Sequence, residues 1–551
     1  MNVRRRAFVA GGVGMVVAFG VVELVHGLYQ LVPSVLTAVA QRIIELTPGD
    51  VATTGIALVG KAATPILISV IVILTLLFAG FLAKLSLRSR IGALVGVGVL
   101  AAAAFFAAFS EPFIASVATV LTVLGSLAVG VSVAAFLLQV SGQPARETGP
   151  EEAKGTEGSE QPSPQPFIGR SREAHSRGIA VSRRNFVVVS GAAAVAGVTA
   201  GVVGRVLSSE AGSSVAGSES HPLQPSQRGG SSTAVSEPET LPDPSAETFL
   251  NVEGMPPLFT PNEDFYLIDT AVSSPRVNRD SWVLRVMGEV DNPIELSYDD
   301  LLGFHTLERY ITLSCVSNEV GGGLVSNARW TGVLLSDVLN EASLSQDKIG
   351  SASEQLVGRS VDGWEAGFLT DLAFDGREAM VAFGMNGEEL PLKHGYPVRL
   401  VVPGLYGYVS ATKWLTEIEL TDWGYDAYWI KRGWSKEGPI LTQSRIDTIS
   451  DGDTVSAGTV PVGGVAWAPT RGIERVEVST DGGGTWNEAT LAAQLDADAW
   501  RQYVYYWEAQ SGEYTLKVRA TDGEGETQTE EEATPMPSGA TGYHTIEVTV
   551  S

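Results

Sequence analysis

Four apolar stretches, near residues 8–28, 62–83, 91–110 and 113–139, each approach the ~20 residues a helix needs to cross a bilayer. Helices on a soluble core carry a polar face, and these runs carry almost none. Residues 1–140 are therefore expected to form a four-span transmembrane region, in which helices satisfy every backbone polar group internally. Arg4, Arg5 and Arg6 precede the first run, and Lys84, Arg88 and Arg90 fill the loop between the second and third. Placing both clusters in the cytoplasm puts both ends of the region inside. Residues 29–50, with Pro33, Gln41 and Arg42, then read as an amphipathic external connection.

Residues 141–181 are rich in Gly, Pro, Glu, Ser and Gln without a hydrophobic period, which predicts a flexible cytoplasmic linker. Ser182-Arg183-Arg184-Asn185-Phe186 then leads into a small-residue apolar run. Residues 182–207 resemble a twin-arginine export signal that doubles as a fifth span; Arg4-Arg5-Arg6 is a rival site for the signal. Everything after this span is expected outside the cytoplasm, so the chain reads as a multi-pass protein of the cell membrane. The Ser-, Gly- and Pro-rich stretch 208–246 would tether the exported part.

Residues 209–551 carry 21 basic against 52 acidic side chains, a net charge of −31. Such a surface repels nucleic acid and anionic lipid, so this part is not expected to bind polyanions, and nucleic acid is not expected as a partner. The chain has one cysteine, Cys315, in the turn Thr312-Leu-Ser-Cys-Val-Ser-Asn-Glu-Val-Gly-Gly. It has no partner for an intrachain disulfide, so it is either a small buried hydrophobe or a thiolate kept for its chemistry.

Short apolar runs punctuated by Gly, Asn-Pro and Asp-Gly turns predict an α+β domain over 247–439, with helical segments near 297–302 and 334–341. Residues 440–551 alternate as strands, with Asp481-Gly-Gly-Gly and Thr521-Asp-Gly-Glu-Gly as turns, and predict an all-β immunoglobulin-like sandwich. The fold class expected is thus multi-domain: α-helical membrane region, α+β domain and β-sandwich.

The run 391–415, Pro-Leu-Lys-His-Gly-Tyr-Pro-Val-Arg-Leu-Val-Val-Pro-Gly-Leu-Tyr-Gly-Tyr-Val-Ser-Ala-Thr-Lys-Trp-Leu, together with Phe383-Gly-Met-Asn-Gly-Glu and the Cys315 turn, resembles the sulfite oxidase family of molybdopterin enzymes. The resemblance covers about 250–551. It implies a molybdenum–molybdopterin cofactor with Cys315 as the metal ligand, a role suited to a soft thiolate. It also implies that His394, Arg399 and Lys413 hold the pterin and its phosphate, for which arginine offers a bidentate grip. Asp362, Ser410, Thr412 and Asn318 join them as candidate cofactor contacts, and Gly395 and Gly404 fit a close backbone approach. The last domain resembles the family's dimerisation domain, which implies a homodimer.

The pattern departs from sulfite oxidases proper in the substrate region. Where they carry an Arg and a His, the segment Phe265–Thr270 has Ile268, Asp269 and Thr270; Glu319 and Val320 stand where another Arg follows the cysteine turn. Lys431 aligns with the family's active-site Tyr, Arg432 is adjacent, and Tyr428 could serve only if the register shifts. Lys431 and Arg432 are thus candidate catalytic residues, and sulfite is not the expected substrate. No haem is expected: His26 is the single histidine in residues 1–174, and one cysteine cannot make Cys-x-x-Cys-His. The reading is a membrane-anchored oxidoreductase performing two-electron oxygen-atom transfer on a small molecule, with a separate redox protein or a quinone as electron partner. S- or N-oxide reduction of the methionine sulfoxide reductase type is the alternative direction, and a cofactor-free surface adhesion module is the alternative class.

Overall fold

The computed structural model describes residues 2–29, 32–47, 63–109, 116–140, 183–216 and 239–551. The expected linker 141–181 and most of the expected tether 208–246 lie outside them. The chain divides into two compact units, residues 1–44 with 59–211, and residues 45–58 with 212–551.

The first unit is helical: α1 (Val3–Leu28), α2 (Val35–Leu46), α3 (Ala63–Ser86), α4 (Arg90–Phe109), α5 (Ser116–Val140) and α6 (Arg183–Ala216). All but α2 are long and apolar enough to cross a membrane. α1 is the most enclosed of these, half buried where the others are at most about a fifth buried. Small residues let its neighbours approach it. A Cβ at Gly20 would stand 2.1 Å from the Gly197 carbonyl oxygen on α6, so any larger residue there would push the two helices apart. Glu23 is buried on α1, accepts a hydrogen bond from Ser34 at 2.6 Å and lies 3.5 Å from the Arg205 guanidinium on α6.

In the second unit one sheet runs β2 (Ile294–Ser297), β1 (Val283–Gly288), β10 (Leu415–Thr421), β5 (Gln355–Ser360), β6 (Glu365–Leu369). Only β1 and β10 pair in parallel. Another runs β3 (Thr306–Ser314), β4 (Val325–Leu334), β7 (Met380–Met385), β8 (Glu388–Glu389), with β9 (Arg399–Val401) also on β7. Helix Tyr298–Leu301 starts at a capping box between Ser297 and Asp300, and Leu335–Glu341 is the other expected helical segment. Strands β3 and β4 are buried almost throughout although they carry polar residues such as Thr312, Ser314, Ser326 and Asn327, and Thr312 donates its hydroxyl to Asn327 Oδ1 at 3.0 Å.

Residues 443–550 form two further sheets. One runs β11 (Gln443–Ile446), β13 (Gly458–Trp467), β17 (Arg501–Ala509), β16 (Thr490–Leu491); the other runs β12 (Thr454–Val455), β19 (His544–Val550), β18 (Gly512–Asp522), β14 (Ile473–Ser479), β15 (Asn487–Glu488). Val462, Tyr503, Val476 and Leu516 are fully buried in a core the two sheets share.

Candidate active site

Strand ends and the loops between them converge on one pocket. The Cys315 turn leaves β3 and enters β4, the turn 361–364 joins β5 to β6, residues 391–398 lead into β9, and residues 402–414 lead into β10. Segment 265–270 closes the remaining side.

Cys315 is buried and lines this pocket. Burial pushes its thiol up, while the Ser317 N–H and hydroxyl, both hydrogen-bonded to the sulfur, favour the thiolate. The turn is held from several sides. Cys315 N–H donates to the Leu324 carbonyl at 2.9 Å, and Asn318 Oδ1 accepts from Leu324 N–H at 2.7 Å. From the C-terminal sheets, Arg445 donates to the Gly322 carbonyl at 2.7 Å, steadied by Asp447 at 2.6 Å, and the His544 ring packs on Gly321.

His394 is buried, and its Nε2 lies 2.8 Å from the Asn262 carbonyl oxygen. A carbonyl only accepts, so Nε2 carries the proton and Nδ1 is left as an acceptor. Burial lowers its pKa to about 3, keeping the ring neutral. Arg399 is 5% exposed, and burial lowers its pKa to about 10. Its guanidinium donates to the His394 carbonyl at 3.0 Å and stacks over Trp330 at 5.1 Å, but no carboxylate among the described residues is in ion-pair contact with it. Lys413 pairs with Asp269 at 2.5 Å, their side chains 12% and 17% exposed. Burial raises the Asp269 pKa to about 6 and lowers that of Lys413. Gly395 turns the chain at φ +114°, and a Cβ there would meet Arg399 and Lys413 at 3.1 Å, so this glycine lets the two cations sit side by side.

The pocket thus brings together Cys315, Asp362, His394, Arg399 and Lys413. Asn318, Gly404, Ser410, Thr412, Lys431 and Arg432 do not line it. Asn318 ties the cysteine turn. Ser410 donates to the Tyr406 carbonyl at 3.0 Å and Thr412 to the Gly358 carbonyl at 3.3 Å, both fully buried. Lys431 points to Glu365 at 3.0 Å with its side chain 53% exposed, and Arg432 lies over the Tyr428 ring at 3.6 Å. Gly404 packs on Thr470, away from the pocket. Glu319 is exposed and lines a separate groove with Glu532 and Tyr543.

The sequence reading missed much of the wall: Tyr266, Ser317, Ser360, Trp364, Tyr408, Trp414, Trp429 and Trp434. Ser360 Oγ and the indole nitrogens of Trp364 and Trp434 are buried without a hydrogen-bond partner. Trp414 adopts a left-handed backbone, φ 49°, uncommon for so large a residue. Aromatic density around the motifs was the available signal, with five tryptophans from 364 to 434, four of them in this wall.

Residues 271–429 match the family described as oxidoreductase molybdopterin binding domain, and residues 439–549 match the Mo-co oxidoreductase dimerisation domain. The mitochondrial sulfite oxidase of Homo sapiens is 30% identical over 323 residues, 49% of this chain and 57% of that protein. The NADPH nitrate reductase of Mycosarcoma maydis is 29% identical over 337 residues, 48% of this chain and 33% of that protein. The chain therefore spans only about half, or less, of the length of these relatives. The sulfane dehydrogenase SoxCD from Paracoccus pantotrophus aligns at 23% identity and a TM-score of 0.46, over 55% of this chain and 85% of that one.

The residues present fit a molybdopterin. A thiol, a buried cation without a carboxylate and three unpartnered polar groups line one pocket, beside a glycine whose missing side chain leaves room. Cys315 would take the metal, and Arg399, His394 and Lys413 the pterin and its phosphate. By these matches and this pocket, residues 271–549 form a molybdopterin-dependent oxidoreductase region similar to that of sulfite oxidases.

Proposed function

We propose that this chain is a membrane-anchored oxidoreductase whose catalytic domain faces away from the cytoplasm and exchanges an oxygen atom with a small neutral substrate. When bound, the molybdenum cofactor supplies two-electron oxygen-atom transfer. The chain's residues hold and orient it, and the aromatic wall of Trp364, Trp429, Trp434 and Tyr408 excludes water from the space beside Cys315.

The observation that carries the substrate reading is the charge of the pocket. Arg399 and Lys413 are its cations, His394 is neutral, and Asp269 and Asp362 are carboxylates in the same lining. A dianion such as sulfite meets no net positive field there. Each charged hydrogen bond missing from such a site costs roughly 1.5–3 kcal/mol, about tenfold to over a hundredfold in rate. Lys431 and Arg432 are engaged by Glu365 and Tyr428 and do not line the pocket. Glu319 lines the other groove and adds no charge to this pocket's lining. S- or N-oxide reduction suits a neutral, largely apolar pocket equally well.

Steady-state kinetics with an artificial electron carrier test this reading on the full chain. Neutral sulfoxides or N-oxides are expected to turn over and sulfite poorly; sulfite oxidation at a kcat/KM of order 10⁶ M⁻¹s⁻¹, well inside the efficient range, contradicts it. Export through Arg183 and Arg184, a homodimer through residues 439–549, and electron exchange with a separate protein or quinone belong to the same proposal. Changing both arginines to lysine keeps their charge, so blocked translocation supports the export signal and normal translocation refutes it.

A further inference from the structure

The helical unit holds a half-open cavity of about 350 Å³ walled by α1, α3, α4 and α5. Its wall is made of small and apolar residues, among them Gly14, Ala18, Ala83, Ala93, Val97 and Ala134. One charged side chain lines it: Arg90, at the end where α3 stops and α4 starts. Arg90 is exposed and has no ion-pair partner among the described residues. Lys84, in the last turn of α3, and Arg88, in the connection that follows, are also exposed.

Depth and charge together select the occupant. Along α4 the lining runs from Arg90 to Leu100, about 15 Å at 1.5 Å per residue, which is half of a ~30 Å hydrocarbon core. The lining is therefore as long as one leaflet is deep, with Arg90 at one end of it. An empty void with apolar walls forfeits dispersion contacts, and water finds few polar partners in it. A hydrocarbon chain restores those contacts, and a phosphate diester on the same molecule would meet the Arg90 guanidinium, reinforced by its basic neighbours.

We propose that this cavity is a binding site for one anionic phospholipid, an acyl chain in the void and the headgroup phosphate on Arg90. The proposal rests on α1 and α3 to α6 spanning a membrane, and is independent of what the catalytic pocket does. It gives the multi-span region a role beyond tethering, because a lipid shared by four helices braces them against one another.

The test is native mass spectrometry of the full chain, reconstituted in nanodiscs of phosphatidylglycerol or phosphatidylcholine with matched acyl chains and then released from them. One phosphatidylglycerol per chain is expected to be retained, favoured about fivefold or more over phosphatidylcholine. Arg90→Gln, a change on an exposed side chain, is expected to abolish the preference. Ala93→Phe, which fills the void, is expected to remove the retained lipid while molybdenum content stays unchanged. Equal retention of the two lipids, an unchanged preference in Arg90→Gln, or a co-purified isoprenoid quinone in place of phospholipid would each overturn the proposal. Membrane insertion of the chain, scored separately by protease protection of its termini, distinguishes failure of the lipid site from failure of the spanning reading.

Discussion

Asp269 neutralises Lys413 at 2.5 Å, while Arg399, beside Lys413 across Gly395, has no carboxylate against it among the described residues. The pocket therefore contains one cation already matched by the protein and one held in reserve for an anion from outside. A buried charge left unmatched is costly, so its presence points to a ligand that completes it.

Protonation of Asp269 is expected to release the second cation. Its pKa is raised by burial from the ordinary 3.8 to about 6, so the folded state takes up this proton before the unfolded chain does, and its contribution to stability weakens as pH rises through that window. Below pH 6 Lys413 loses its counter-charge. Sulfate, a dianion throughout this range, is expected to bind cofactor-free protein more tightly as pH falls from 7 to 5, measured by calorimetry. Asp269→Asn is expected to bind sulfate tightly at both ends of the range; an unchanged pH slope in that variant contradicts the coupling.

Arg399→Ala removes the unmatched cation. A charge-assisted hydrogen bond to a phosphate is worth roughly 1.5–3 kcal/mol, so cofactor affinity is expected to fall about tenfold to over a hundredfold. Arg399→Lys keeps the charge but not the planar fork, and is expected to recover part of the loss. Pterin fluorescence after oxidative release, measured per chain, reads the difference.

The cysteine turn depends on the C-terminal sheets through Arg445, which donates to the Gly322 carbonyl. Arg445→Met is expected to loosen the turn without unfolding either sheet. The reporter is alkylation of Cys315 in cofactor-free protein: slow in the parent, where the thiol is buried and its pKa raised, and at least severalfold faster in the variant. Equal alkylation rates would show that the two sheets do not steady the metal-ligand turn.

Legibility in the sequence followed the physics of each part. The five long apolar helices were readable because uncharged runs of that length are uncommon outside membranes. The strands of the last domain were readable because alternation and Asp-Gly turns mark them, and residues 440–551 contain β13, β14, β17, β18 and β19 as expected. At the site, Cys315, His394, Arg399 and Lys413 were legible as motif residues, whereas the tryptophans were not. Trp364 and Trp434 sit 70 residues apart in chain and share a wall only because β5, β6 and β10 lie in one sheet. Ser410 and Thr412 share the motif with Lys413 but spend their hydroxyls on local carbonyls, an outcome set by side-chain direction rather than by spacing.

Metal and pterin analysis of the purified full chain, produced in a host competent for the cofactor, tests the central claim most directly. The account predicts about one molybdenum and one pterin per chain, with Cys315→Ser keeping much of the pterin through Arg399 and Lys413 while losing turnover. A well-folded protein containing no molybdenum, or full turnover in Cys315→Ser, would contradict it.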